Sequence, residues 1–166
     1  TGQPKGVCLS AEQIEAVSIS LAGATQSLGI ERHLCLLPLA TLLENIAGIH
    51  APLLGGATCL LPPAAMTGMS YAGPDPARLL ACIGKLRPQS IVLVPELLRL
   101  LVSAADHGWR VPSSLRFVAV GGASVSVDLL ARAEAAGLPV YEGYGLSECA
   151  SVVCLNTPEG QRRGSV

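Results

Sequence analysis

Aromatic side chains are almost missing from this sequence: one Trp, one Phe and three Tyr in 166 residues, 3% in all. Half of the residues are nevertheless apolar, so the core has to be aliphatic and alanine-rich. Charge is scarce too, at 14%, and neither sign prevails, with a net charge of −1. The absence of a basic face or polybasic run excludes nucleic acid and the membrane surface as electrostatic partners. Pro, Gly or a charge breaks every apolar run well before 18 residues, which excludes a transmembrane helix. The opening Thr1-Gly2-Gln3-Pro4-Lys5 lacks the charged start and apolar block of a signal peptide. Six cysteines are present, Cys8, Cys35, Cys59, Cys82, Cys149 and Cys154, but no CxxC pair. The expectation is buried free thiols in a reducing, cytoplasmic compartment, not a zinc site or a disulfide framework.

What the sequence does have is a regular alternation of strand and helix signals, within a length that predicts one domain or part of one. Val7–Leu9 reads as a short strand. Ser10 with Gln13 forms a capping-box pattern, opening a helix from Ala11 to about Ser27. That helix carries Ile14, Val17, Leu21 and Ala24 on one face, and Gly29 ends it. Leu34–Pro38 is an apolar run of the kind buried on both faces. Thr41 is a candidate cap for a helix to about Leu54, closed by Gly55-Gly56. Ala57–Leu61 reads as a strand, and Ala64–Pro74 as a surface loop. Asp75-Pro76 opens a helix that ends near Arg87-Pro88. Then follow a strand at Ser90–Val94, a helix from Pro95 to about Asp106, a strand at Leu115–Val120, a helix at Val127–Ala136 and a strand at Leu138–Val140. The predicted class is α/β, a mostly parallel sheet with helices on both faces.

Ligands of such sheets sit at the carboxyl ends of strands. Two glycine-bearing stretches lie there: Gly121-Gly122-Ala123, and Tyr141-Glu142-Gly143-Tyr144-Gly145-Leu146-Ser147-Glu148. In the second, glycines permit close backbone approach, Tyr144 offers a flat ring, and a carboxylate beside a hydroxyl suits Mg²⁺. At the other end of the chain, Thr1-Gly2-Gln3-Pro4-Lys5-Gly6 combines backbone N–H groups with a Lys point charge, both favourable to anions. It is not the Walker pattern. Taken alone, each stretch is equally a turn or terminal loop with solvated charges.

Taken together, Thr-Gly-x-Pro-Lys-Gly, then Gly-Gly-Ala, then Tyr-Gly-x-Ser-Glu, in this order and spacing, resemble the adenylate-forming superfamily of acyl-CoA synthetases, luciferases and nonribosomal peptide adenylation domains. The resemblance spans the chain and implies part of the large N-terminal domain. Thr1, Gly2, Lys5 and Gly6 then match the loop that holds the phosphates of ATP. Gly122 and Ala123 match the backbone beside adenine and the acyl pocket. Tyr144 and Gly145 match the adenine-packing segment, and Ser147 stands where the family more often has Thr. Glu148 matches the Mg²⁺-binding carboxylate, so Lys5 and Glu148 are the residues implied for catalysis. The implied partners are ATP, Mg²⁺, coenzyme A and a small carboxylic acid.

Leu37-Pro38-Leu39-Ala40-Thr41-Leu42-Leu43-Glu44 resembles a Leu-Pro-Leu-x-His-x-x-Glu segment of long-chain acyl-CoA synthetases, with Thr41 in place of the His, and points to a fatty acid. Glu44 is expected to be a solvated helix residue. The family's ribose-binding Asp, hinge and small C-terminal domain have no counterpart here. The resemblance therefore implies a fragment, inactive alone, whose exposed sheet edges favour self-association.

Other site readings fit less well. Gly143-Tyr-Gly145-Leu-Ser-Glu148 nearly matches a dinucleotide fingerprint, but Glu replaces its third glycine. Gly145-Leu-Ser147-Glu-Cys149 nearly matches a hydrolase elbow, but no His follows Ser147. His33, His50 and His107 are expected at helix ends or on the surface, and Trp109 is expected to pack a loop. A noncatalytic domain of the same fold, or a ligase for amino or aryl acids, is the alternative.

Overall fold

The computed structural model describes every residue except Thr1, Gln3, Pro4, Tyr71 and Arg163. The first helix, α1 (Ala11–Thr25), starts where its capping box lies. Gln13 N donates to the Ser10 hydroxyl at 3.2 Å, and Ser10 N donates to Gln13 Oε1 at 2.8 Å. A short 3₁₀ turn, Gln26–Leu28, follows and stops at Gly29, whose φ of 56° is left-handed. Strand β1 is Arg32–Leu34. A π-helical segment, Glu44–His50, leads into α2 (Ala51–Leu54), then β2 (Thr58–Leu60) and the short helix α3 (Ala64–Thr67). Next come α4 (Pro76–Leu86), β3 (Ser90–Leu93), α5 (Pro95–Asp106), β4 (Phe117–Val120) and α6 (Val127–Ala135). Strand β5 (Val140–Leu146) turns through a 3₁₀ segment, Ser147–Cys149, into β6 (Ser151–Leu155).

The six strands form one sheet in the order β2-β1-β3-β4-β5-β6. The first five are parallel neighbours, while β6 returns antiparallel to β5. Alternation along each strand divides its side chains between two faces. Leu34, Ile91, Leu93, Val118, Val120 and Val140 belong to a core completed by α4, α5 and α6, where Leu79, Ile83, Leu98 and Leu101 are fully buried. The opposite face lies under α1, the π segment and α2. Its separate cluster has only Leu21, Ile46 and Ala51 as buried members. This thin cover leaves room beside the strand ends.

Several expectations change. Val7–Leu9 is not a strand; the segment has no sheet partner among the described residues. β1 begins earlier than expected and ends at Leu34, although Cys35 N still donates to Leu60 O at 3.0 Å. Thr41 stands directly before the helical run that begins at Leu42, and its carbonyl accepts from Asn45 N at 2.9 Å, but its hydroxyl donates to Pro38 O at 2.7 Å and does not cap a helix N–H. The 64–74 stretch contains α3. The residues from Tyr141 to Leu146 extend a strand because β6, an element not anticipated, pairs with them. Trp109, half-buried, packs on the main core. No helix among the described residues is long and apolar enough to cross a membrane.

Candidate active site

A cavity of about 700 Å³ lies between α1, the π segment and the sheet. On the sheet side, Gly121, Gly122, Tyr144, Gly145 and Ser147 stand along it, where β4 and β5 end. Leu21, Ala22 and Thr25 of α1 form part of its opposite wall, and Leu42, Leu43 and Ala47 contribute from the chain that follows β1. The walls are mostly apolar; the ring of Phe117 is one of the few flat surfaces, stacked on Tyr141 at 4.9 Å.

The glycines are set by geometry. Gly122 has φ 83°, a conformation that disfavours any side chain. A Cβ on Gly121 would approach Gly143 O at 3.2 Å, so β4 and β5 run close together at their ends. A Cβ on Gly145 would overlap the Ser151 carbonyl. Gly145 therefore allows β6 to fold back on β5 at a point where the register shifts between Tyr144 and Gly145. The return turn uses left-handed backbone at Ala150 (φ 54°) and Ser151 (φ 91°). Strain of this kind in non-glycine residues clusters at ligand sites. The result presents Tyr144, 48% exposed, and an exposed Ser147 and Glu148 in one short turn.

Of the residues singled out in the sequence, the cavity brings together Gly122, Tyr144, Gly145 and Ser147. Ala123 and Glu148 are exposed just beyond its wall segments. Gly2, Lys5 and Gly6 are exposed in the irregular segment before α1 and do not line the cavity; Thr1 lies outside the described residues. Neither Lys5 nor Glu148 has an ionic or hydrogen-bond partner among the described residues. The wall supplied by α1 was missed, although its small residues Ala22 and Gly23 are a signal for a helix face that leaves space.

Two further expectations are overturned. His33 is not a surface histidine: it is 2% exposed on β1, and its Nδ1 lies 2.8 Å from Ser90 Oγ. Glu44 is not solvated: it is fully buried, and its Oε2 accepts from Leu37 N at 3.3 Å. His33 Nε2 and Glu44 Oε1 approach to 4.0 Å. Burial pushes the imidazole down to about 4 and the carboxyl up to about 7, so at neutral pH this contact is not an ion pair with a charged imidazole.

The model of a family described as AMP-binding enzyme matches residues 1–166. The chain belongs to the AMP-binding enzyme family. Among its relatives, an acyl-CoA synthetase of Gibberella moniliformis is 30% identical over 159 residues, covering 94% of this chain and 26% of the relative. A feruloyl-CoA synthase of an Amycolatopsis species is 31% identical over 160 residues, covering 93% of this chain and 30% of the relative. The o-succinylbenzoate CoA synthetase of Bacillus subtilis, solved with an acyl-adenylate, superposes with a TM-score of 0.74 at 25% identity, over 96% of this chain and 30% of that one. The same enzyme has been solved with ATP and a magnesium ion. The chain thus spans between a quarter and a third of the length of these relatives, and its sheet and surrounding helices match the N-terminal domain of adenylate-forming enzymes.

Proposed function

We propose that the protein carrying this chain is an ATP-dependent acid–thiol ligase. A carboxylate oxygen attacks the α-phosphorus of ATP and pyrophosphate leaves; the thiol of coenzyme A then attacks the acyl carbon and AMP leaves. The observation that carries this reading is the convergence of Gly122, Tyr144, Gly145 and Ser147 on one apolar-walled cavity, in a chain that belongs to the AMP-binding family. Tyr144 offers a half-exposed ring to a purine, and the positive φ of Gly122 lets backbone lie close to it. Ser147 supplies a hydroxyl for phosphate. Thr1, Gly2, Lys5 and Gly6 would hold the leaving phosphates, with the Lys5 ammonium opposing the charge that develops there. Ala123 would line the path between adenine and acid.

Mg²⁺ fits Glu148, a solvent-facing carboxylate with no competing partner among the described residues. Bound there, the ion would neutralise charge on the phosphates. Coenzyme A is proposed as the acyl acceptor, since the relatives are named as an acyl-CoA synthetase, a feruloyl-CoA synthase and a 2-succinylbenzoate–CoA ligase. Cys35 and Cys59 lie side by side with their thiols unjoined, which fits a reducing compartment, the cytoplasm.

The acid is proposed to be a fatty acid, on the likeness of Leu37–Glu44, whose Leu42 and Leu43 line the cavity. An aryl acid is the second reading, favoured by relatives named for ferulate and 2-succinylbenzoate. Pyrophosphate exchange by the full-length protein, with a panel of fatty, aryl and amino acids, tests all of this. Exchange with one class, reduced to background by Lys5→Ala and by Glu148→Gln, is the expected result. No exchange with any acid, despite ATP binding, would leave a noncatalytic nucleotide-binding domain.

A further inference from the structure

Behind the cavity wall lies a cluster that the ligase reading does not use. His33 and Cys35 stand two residues apart on one face of β1 and its extension, and Cys59 pairs across from His33 on β2, in the register His33↔Cys59. Side chains at such positions share a face. The π segment lies over that face and lowers Glu44 onto it. One ligating atom each from His33, Cys35 and Glu44 falls within 4.8 Å of the others, and all three residues are buried. The thiol of Cys59 adjoins that of Cys35, and both point at the Gly48 carbonyl, at 3.4 and 3.5 Å.

The polar groups here are poorly satisfied. Among the described residues, His33 Nε2 and Glu44 Oε1 have no hydrogen-bond partner, although both are buried. Such orphans are rare and call for a reason. Gly48 keeps the space above them open: a Cβ there would lie 2.5 Å from Glu44 Oε1 and 3.2 Å from His33 Nε2. The local π geometry, uncommon in helices and frequent at functional sites, is what brings Glu44 and Gly48 together over the sheet.

We propose that His33 Nε2, Cys35 Sγ, Glu44 Oε1 and Cys59 Sγ form a structural Zn²⁺ site. Nitrogen, thiolate and carboxylate ligands are the set Zn²⁺ takes in tetrahedral geometry, at about 2.0–2.3 Å, which separates the ligand atoms by roughly 3.3–3.8 Å. The 4.0 Å between Nε2 and Oε1 and the separations of up to 4.8 Å within the trio His33, Cys35 and Glu44 require inward shifts of about 1 Å, within the reach of side-chain rotation; Cys59 Sγ stands outside that trio and would swing in from beside Cys35 Sγ to complete the set. His33 Nδ1 lies 2.8 Å from Ser90 Oγ; with the ring proton held on Nδ1 by that hydroxyl, the Nε2 lone pair is left for the metal, the usual arrangement of an oriented ligand histidine. Both thiols give up their protons on binding. The bound ion clamps β1, β2 and the π segment together. His33 and Ala47 from these elements also line the cavity, so the clamp sets the wall on which the acid would lie.

The test uses full-length protein, stripped with a chelator and kept reduced. Titration with Zn²⁺ against a chromophoric competitor is expected to show one equivalent bound per chain, and Co²⁺ to produce thiolate-to-cobalt charge-transfer bands. Glu44→Gln, Cys35→Ser and Cys59→Ser are each expected to weaken Zn²⁺ binding by more than the roughly 10–100-fold lost with an outer-sphere partner. Cys8→Ala, at an exposed cysteine outside the cluster, leaves it unchanged. Absence of the charge-transfer bands in the wild-type protein overturns the proposal without need of any variant. Unchanged affinity in Glu44→Gln and Cys35→Ser, or loss of binding in Cys8→Ala, overturns it as well. Unchanged affinity in Cys59→Ser alone overturns the four-ligand assignment.

Discussion

Gly145→Ala separates two roles a glycine can have beside a ligand. If Gly145 only admits a ligand, the alanine variant loses binding and keeps its stability. The structure predicts otherwise. The new Cβ would lie 2.6 Å from the Ser151 carbonyl carbon and 3.1 Å from Val152 Cα, besides overlapping the Ser151 oxygen. These are backbone atoms, so no rotamer change relieves the clash, and β6 has to retreat from β5 by the better part of an ångström. Overpacking of this sort costs about 1–3 kcal/mol, and immovable neighbours place it in the upper half of that range. At 1.4 kcal/mol per tenfold, about 2–3 kcal/mol is roughly a 30- to 150-fold shift in any equilibrium that needs the paired hairpin. Tyr144 and Ser147 are positioned by that hairpin, so nucleotide affinity should fall together with thermal stability. Gly143→Ala is the internal control. Its Cβ would meet the flexible Leu155 side chain at 3.3 Å and Cys154 O at 3.4 Å, for a cost under about 1 kcal/mol. Thermal unfolding and equilibrium binding of a nonhydrolysable ATP analogue, on the full-length protein, measure both effects. A Gly145→Ala variant with unaltered melting temperature, or one less damaging than Gly143→Ala, refutes the reasoning.

Gln89→Ala removes the acceptor for Glu31 N (2.6 Å) and Arg32 N (3.0 Å) at the start of β1. Glu31 is exposed and water can replace one bond, so a loss of about 1–3 kcal/mol is expected by denaturant unfolding, with faster amide exchange at Arg32. Arg87 holds a left-handed φ of 47° after α4 and precedes Pro88. Arg87→Gly should raise stability by up to about 1 kcal/mol, the relief of an L-residue in that region less the entropy of glycine. Its carbonyl bond to Arg32 Nη2, 2.9 Å, does not depend on the side chain, and a lower melting temperature would contradict the argument. Ser10→Ala breaks the capping box of α1 and should lose about 1 kcal/mol, read as fraying of the first turn in amide exchange.

Elements whose ends are marked by local chemistry were legible in the sequence. Ser10 with Gln13 and Asp75 with Pro76 fix two helix starts, because the caps act within three or four residues of themselves. Ser90–Leu93 is buried at every position, and its β-branched run shows it. What the sequence hid depends on distant partners. Tyr141–Leu146 becomes a strand because β6 covers it, although Ser151-Val-Val-Cys-Leu155 is itself a β-type run. Glu44 reads as a surface helix residue, and only the lid formed by the π segment buries it. His33 stood within reach of a better reading: a polar residue entering an apolar strand run, two places before a cysteine, costs stability unless something meets it. Gly2, Lys5, Gly6 and Glu148 were singled out through their motif, but all four are exposed and none lines the cavity.

The scarcity of aromatic residues and the presence of the cavity have a common physical basis. Toward α4, α5 and α6, the sheet presents Leu, Ile and Val, and helix leucines fill the layer between. Toward α1, it presents His33, Ser90, Val92, Phe117 and Ala119, and the residues facing them include Ala22, Gly23, Ala47 and Ala51. Side chains this small cannot close a layer of ordinary sheet–helix depth. In a chain with more aromatics, a few rings could have filled it; here the volume stays open next to the strand ends, where backbone amides and Tyr144 are presented. The cost is a second core of few buried members, so on this face little apolar packing ties β1 and β2, which are anchored to the main core by Leu34 and Leu60 on their other side, to the π segment. A metal clamp among His33, Cys35, Glu44 and Cys59 would therefore act at the place where the hydrophobic effect contributes least. That is also the argument for a structural role there: the ion would support an open wall without filling the space that the wall encloses.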